Sequence, residues 1–139
     1  LVVAVVGDGG FQMTLFELST VFIHKLPVKI LVVDNKYLGM VRQWQEFFYD
    51  KRYAATPMKS PDFVKLADAM GLTGLRVDTR AGVIPAVQQA RETPGTVVID
   101  FRVEQEDSVY PMVPAGADLD KMIRRPKPSV LVETAQDPF

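Results

Sequence analysis

The chain has no cysteine, so neither a disulfide framework nor a thiolate metal site can hold it together. That absence is compatible with a reducing compartment. Net charge is also scarce: 16 Lys and Arg against 17 Asp and Glu leave −1 at pH 7, which gives no electrostatic ground for binding nucleic acid or an anionic membrane. No apolar stretch is long enough to cross a bilayer, and no internal repeat is visible. The single histidine, His24, falls near the end of an expected helix, where a cation suits the dipole, and receives no catalytic role. Apolar residues, by contrast, are plentiful: they make up 47% of the 139 residues, enough to give one domain of ordinary size its core.

Those apolar residues fall into short runs. Leu1 to Val6 is a continuous, β-branched stretch and Val28-Lys29-Ile30-Leu31-Val32-Val33 reads the same way; both predict strands buried on both faces, the habit of parallel sheets. Between them Leu15, Leu18, Val21 and Phe22 recur at helical spacing, and Pro27 stops that helix. Thr14 with Glu17 three residues later fits a capping box, so the helix is expected to start at Thr14. Downstream, Ser60-Pro61-Asp62 predicts an N-cap at Ser60 with proline at the first helical position, leading a helix through Phe63, Leu66, Ala67 and Met70 to a stop at Gly71. Leu75-Arg76-Val77 can form a short strand. Val83, Ala86, Val87 and Ala90 mark another helix, closed by Pro94-Gly95, and Thr96 to Val103 a final strand. Strands and helices alternate, which predicts an α/β fold: a parallel sheet with helices on both faces, in a single domain. Residues 47–59 carry aromatics and charges without clear period, and Arg124, Arg125 and Lys127 among prolines read as an extended tail.

Chemistry concentrates where the first two strands end. Gly7-Asp8-Gly9 follows the first run and Asp34-Asn35 the second, with 25 residues between Gly9 and Asn35. If the strands are adjacent, Asp8 and Asn35 meet at the carboxyl edge of the sheet, where open α/β folds bind ligands. Asp8 offers a charged oxygen and Asn35 a neutral one, donors suited to Mg2+, which takes one or two protein oxygens and completes its shell with phosphate and water. Gly7, Gly9 and Gly10 free the backbone for tight or left-handed turns and for close approach of NH groups to a phosphate, beside a helix start. Together they describe a Mg-diphosphate cradle. The triplet alone also fits a plain strand-ending turn, and Met40 with Trp44, four residues apart, fits a core-facing helical pair.

The paired motif resembles the thiamine diphosphate motif, which opens with GDG and closes with an asparagine pair. Gly7-Asp8-Gly9-Gly10-Phe11-Gln12-Met13, Leu26-Pro27-Val28-Lys29, Asn35 through Trp44, and Pro111-Met112-Val113-Pro114-Ala115-Gly116 are similar to the C-terminal domain of the acetolactate synthase (acetohydroxyacid synthase) catalytic subunit, over nearly the whole chain. Asp34 stands where that family usually has its first asparagine. The resemblance implies that Asp8 and Asn35 bind Mg2+ through side chains and Tyr37 through its carbonyl. It implies that Gly9, Gly10, Gly39 and Met40 contact thiamine diphosphate, and that Met40, Val41, Trp44 and Ala115 line the substrate and herbicide pocket.

It further implies residues 1–116 as the domain core and 117–139 as a C-terminal tail, which closes over the active site together with the stretch 47–59. Upstream pyrimidine and FAD domains lie outside this chain. The glutamate that activates the cofactor belongs to the pyrimidine domain, so no residue here is assigned as catalytic, Glu17 being a capping residue, and the chain alone is expected to be inactive. The whole enzyme would decarboxylate pyruvate and condense the two-carbon unit with pyruvate or 2-oxobutyrate, in branched-chain amino acid synthesis. It would act as a homodimer or tetramer with a small regulatory subunit, in the cytoplasm or, in a plant, the plastid, the cytoplasm being preferred. A different thiamine enzyme (2-oxo acid decarboxylase, oxidase or carboligase) and a non-catalytic assembly module are the alternatives.

Overall fold

The computed structural model describes residues 1–126. Lys127, Pro128 and the rest of the expected tail lie outside the described residues. The element order is β1 (Val2–Gly7), α1 (Asp8–Gln12), α2 (Glu17–Ile23), β2 (Val28–Asp34), α3 (Gly39–Phe48), α4 (Phe63–Ala69), β3 (Thr73–Val77), α5 (Val83–Glu92) and β4 (Val97–Arg102). The four strands form one parallel sheet in the order β1-β2-β4-β3. Neighbouring registers are continuous: Gly7 pairs with Val33, and Asp34 with Arg102.

Alternation along β4 divides the core. Val98 joins Ile30 and Val32 of β2 on one face, under Phe11, Leu18, Phe63 and Ala67 from α1, α2 and α4. Val97 and Ile99 point the other way, to Val77, Ala86 and Ala90 beneath α5. The sheet therefore has helices on both faces, as the alternating pattern predicts. Phe63, completely buried, sets the first layer through a tilted ring contact with Phe11 at 5.4 Å.

Three local expectations need correction. β1 is buried on neither face along most of its length: Val2, Val3 and Val5 are 60%, 50% and 69% exposed and Val6 alone packs against the core, because β1 is an edge strand and α5 packs chiefly on β3 and β4. The capping box does not form. Residues 8–12 make their own short helix and α2 begins at Glu17; its N-cap is Phe16, without a side-chain cap, while the Thr14 hydroxyl turns back to donate to the Phe11 carbonyl at 3.3 Å. Lastly, Asp62 rather than Ser60 caps α4, its Oδ1 accepting from the backbone NH of Val64 and Lys65, both at 3.1 Å. A carboxylate closer to the helix satisfies two amides at once, which leaves the serine free for another partner.

Two irregular stretches are tied down. From the stretch 47–59, Tyr37 bridges Pro57, Leu38 NH donates to Thr56 at 2.9 Å and Met58 NH to Lys36 at 2.7 Å. Beyond β4, Met112 and Ile123 pair in both directions, at 2.9 and 2.7 Å. Within the expected tail Arg125 is anchored: it donates to Asp107 at 2.8 Å and lies over the Tyr110 ring.

Candidate functional site

Adjacent parallel strands deliver the site. Asp8 starts α1 directly after β1, and Asn35 follows β2. Asp8 is 1% exposed. Its Oδ2 accepts from the Ser60 hydroxyl at 2.8 Å, and Ser60 accepts in turn from Gln12 at 3.2 Å. Burial pushes the Asp8 carboxyl above the usual carboxylate range, and the neighbouring carboxylate of Asp34 pushes in the same direction; the Ser60 hydroxyl and the Gly9 NH pull against them. A buried anion held at this cost is poised for a cation.

The second strand end is an Asx turn. Asn35 Oδ1 accepts from Tyr37 NH at 3.0 Å, across Lys36, whose φ is +61°. This turn aims the Asn35 amide and the residue 37 backbone at the same space. Next, Gly39 opens α3; a Cβ there would sit 3.1 Å from Asn35 Nδ2. The glycines of the first motif serve through space rather than left-handed backbone. Neither Gly7, Gly9 nor Gly10 has positive φ, but a Cβ on Gly9 would meet Leu38 at 2.7 Å. The helix beside the motif is only five residues long, so little helix dipole is available and individual NH groups are what remain for a phosphate.

A cavity of about 310 Å³ occupies this corner, and its walls include Asp8, Gly9, Gly10, Asn35, Tyr37, Gly39 and Met40. Every residue expected to hold the cofactor is thus gathered in one place. Sequence reasoning missed four further walls: Val33, Leu38, Gln43 and the segment around Asp107 and Val109. Gln43 is 3% exposed and clamps Val109 from both sides, accepting from its NH at 2.7 Å and donating to its carbonyl at 3.0 Å. Ser60 was missed too, since nothing local marks a hydroxyl that finds its carboxylate 52 residues away.

The proposed pocket residues divide. Met40 belongs to the first cavity. Trp44 and Ala115 line a second of about 500 Å³ with Phe48, Tyr49 and Met112, and Val41 lies beside Trp44 in a shallower one. α3 runs counter to ordinary amphipathic logic: Arg42 and Gln43 are its buried residues, whereas Met40 and Trp44 are 49% and 50% exposed. The two are therefore not a core-facing pair in this chain. Arg42 is held between the Tyr37 and Tyr53 rings at 5.1 and 4.7 Å and by Glu46 at 2.9 Å. Burying the cation under aromatics leaves the apolar residues of the helix facing the cavities.

The donors fit a hard cation with a diphosphate. Among the described residues no group of three His, Cys, Asp or Glu side chains could hold a metal. A cation here would bind one carboxylate, one amide and one carbonyl, the remaining oxygens coming from its ligand and water, which is how Mg2+ binds with phosphates. Open space over Gly7, where a Cβ would meet nothing within 4 Å, leaves room for that ligand.

A glycine-lined cavity at the carboxyl edge of a parallel sheet, with oxygen donors from two strand ends, has the build of a cofactor-binding domain. Residues 1–101 match the thiamine pyrophosphate enzyme C-terminal TPP-binding domain, and the chain belongs to that family. Its relatives include the mitochondrial acetolactate synthase of Schizosaccharomyces pombe, 46% identical over 88% of this chain and 18% of that protein. The acetolactate synthase of Mycobacterium leprae is 46% identical over 86% of this chain and 20% of its own length. The acetolactate synthase large subunit of Pyropia yezoensis is 41% identical over 92% of this chain and 22% of its own. This chain thus spans about a fifth of the length of the relatives it matches. Among solved structures, benzoylformate decarboxylase from Polynucleobacter necessarius superposes with a TM-score of 0.70 at 26% identity, over 77% of this chain and 20% of that one. Among the described residues no helix is long and apolar enough to cross a membrane.

Proposed function

We propose that this chain is the cofactor-anchoring domain of an acetolactate synthase catalytic subunit, an enzyme that decarboxylates pyruvate and joins the two-carbon unit to pyruvate or 2-oxobutyrate. The observation that carries the reading is the gathering of Asp8, Gly9, Gly10, Asn35, Tyr37, Gly39 and Met40 around one cavity, in a chain 41–46% identical to acetolactate synthases over most of its length. Thiamine diphosphate supplies the carbanion chemistry and electron sink when bound. The residues here bind and orient. Asp8, Asn35 and the Tyr37 carbonyl hold Mg2+; Gly9, Gly10, Gly39 and Met40 face the cofactor. Met40, Val41, Trp44 and Ala115 shape the pocket for the second 2-oxo acid, and Gln43 fixes the Val109 segment as a wall of the cofactor cavity.

The activating glutamate and FAD belong to other domains in this reading, with residues 1–116 as core and 117–139 as tail. The enzyme is a homodimer or tetramer, with a small regulatory subunit, in the cytoplasm or a plastid. The test is product analysis of the intact protein given pyruvate with and without 2-oxobutyrate. Acetolactate and acetohydroxybutyrate are the expected products; release of free acetaldehyde, or of acetate, instead would assign it to the decarboxylases or oxidases.

A further inference from the structure

The first cavity has a neighbour that the binding role does not use: a chain of charges built on two buried carboxylates, Asp34 and Asp100. Asp34, 2% exposed at the end of β2, forms an ion pair with Lys36 Nζ, accepts from Lys36 NH at 3.3 Å and lies 3.3 Å from Arg102 Nε. Arg102 also donates to Asp100 at 3.0 Å, and Arg76 joins Asp100 at 3.2 Å to Asp62 at 2.7 Å. Three carboxylates thus meet three cations, and the network is neutral. Two of those cations, Lys36 and Arg102, converge on the single Oδ2 of Asp34. Lys36 stands between Asn35 and Tyr37, both walls of the cradle, and Asp34 is near enough to Asp8 for its charge to be felt there.

We propose that Asp34 sets the divalent-cation affinity of the cradle as a positioning residue, by neutralising Lys36 and Arg102 beside the Asn35–Tyr37 turn. The argument is electrostatic. Remove the Asp34 charge and one of its two partly exposed cations, Lys36 or Arg102, is left uncompensated beside the place a second, divalent cation must enter. In a partly desolvated site such a charge acts at low effective dielectric and is weakly screened. Outer-shell partners of metal ligands commonly change affinity by about 10–100-fold. Asparagine is also the residue the thiamine diphosphate motif usually carries here, so the substitution isolates charge from packing, and the expected loss comes from Lys36 and Arg102, which this chain places against the carboxylate.

This inference rests on the Mg-diphosphate reading of the cavity, and the experiment separates the two. Mn2+ binding to the intact protein is measured by electron paramagnetic resonance at saturating thiamine diphosphate, for the native chain, Asp34→Asn, Lys36→Gln and the double variant. Native protein that binds no Mn2+ overturns the cavity reading itself. With native binding in place, Asp34→Asn is expected to weaken Mn2+ by about tenfold. Adding Lys36→Gln should recover most of that loss, since the surplus charge is gone. An unchanged affinity in Asp34→Asn overturns the inference. So does a loss that the second substitution fails to rescue, because Asp34 would then only be shaping the turn.

Discussion

Both ends of the sheet bury charge, and they treat it differently. At the amino-terminal end Lys29 is 5% exposed, and its ammonium donates to the Thr93 carbonyl at 2.7 Å and to Gly95, closing the C-terminus of α5. Thr96 beside it donates to Leu26 at 2.6 Å. Charge, dipole and geometry agree there. At the carboxyl-terminal end Asp8 is as deeply buried, yet only the Ser60 hydroxyl and the Gly9 NH offset its burial beside a like-charged carboxylate, and Asp100 keeps one oxygen without a partner among the described residues. Satisfied burial holds the fold together; uncomfortable burial marks the site.

Breaking each end should give opposite signatures. Asp8→Ala has the largest expected effect: loss of thiamine diphosphate and Mg2+ affinity by more than about 100-fold, beyond the range of outer-shell partners. Without cofactor, its unfolding midpoint should hold or rise, because a desolvated charge has been removed. Calorimetric titration and denaturant unfolding of the intact protein measure both. Lys29→Met is the mirror image. It strands two carbonyls at the foot of the sheet, for about 2 kcal/mol of stability, with no change in cofactor affinity once folded. A variant that lost affinity at Lys29, or only stability at Asp8, would erase the distinction between the two ends.

Why one end was legible and the other less so is physical. Local rules located β2, β4 and α5, because a buried parallel strand is a mostly apolar, β-branched run, broken here only by Lys29 and the acidic and basic residues toward the strand ends, and α5 repeats at helical spacing. Spacing also placed Asp8 and Asn35 at neighbouring strand ends, since a short strand-helix-strand unit leaves few other arrangements. It could not see Ser60, whose local context reads as a helix cap; Asp62 competes better for the amides of α4 and frees the hydroxyl for a partner 52 residues back. Nor could it see that β1 would be an exposed edge, since burial of either face depends on what covers it and not on the strand's own residues. The inverted α3 was hidden for the same reason: pairing Met40 with Trp44 says nothing of the Tyr37 and Tyr53 rings that take Arg42 inward.

Ser60→Ala sharpens the contrast at the next level down. The hydroxyl stabilises the ionised form of Asp8, so its loss should raise the Asp8 pKa further and weaken Mg2+ by about tenfold. Protons compete with the cation for Asp8, and affinity should fall as pH drops through the carboxyl's raised pKa; in the variant this fall begins at higher pH. Stability of the cofactor-free protein has the opposite sign. A carboxyl whose folded pKa is raised binds its proton more tightly when folded. That stability is fully present below the unfolded value and is lost as pH rises through the folded one. A pH series of Mg2+ titrations that superimposes for the two proteins would remove Ser60 from the site.

Trp44→Leu carries the smallest expected effect on stability and the most specific one on chemistry. The side chain is half exposed and lines the 500 Å³ cavity with Phe48, Tyr49 and Met112. Truncation there removes no completed packing, and stability should change by less than about 0.5 kcal/mol. An indole is nonetheless a large, rigid wall, so under the proposed function a smaller residue enlarges the space open to the second 2-oxo acid. One methylene in an apolar pocket is worth about 1–3 kcal/mol of discrimination, enough to move the product ratio when pyruvate and 2-oxobutyrate compete. An unchanged ratio with unchanged stability would leave the exposed face of α3 without a role in choosing the acceptor. A changed ratio with native stability would extend the contrast between the two ends into the second cavity, where exposed apolar surface rather than strained charge does the selecting.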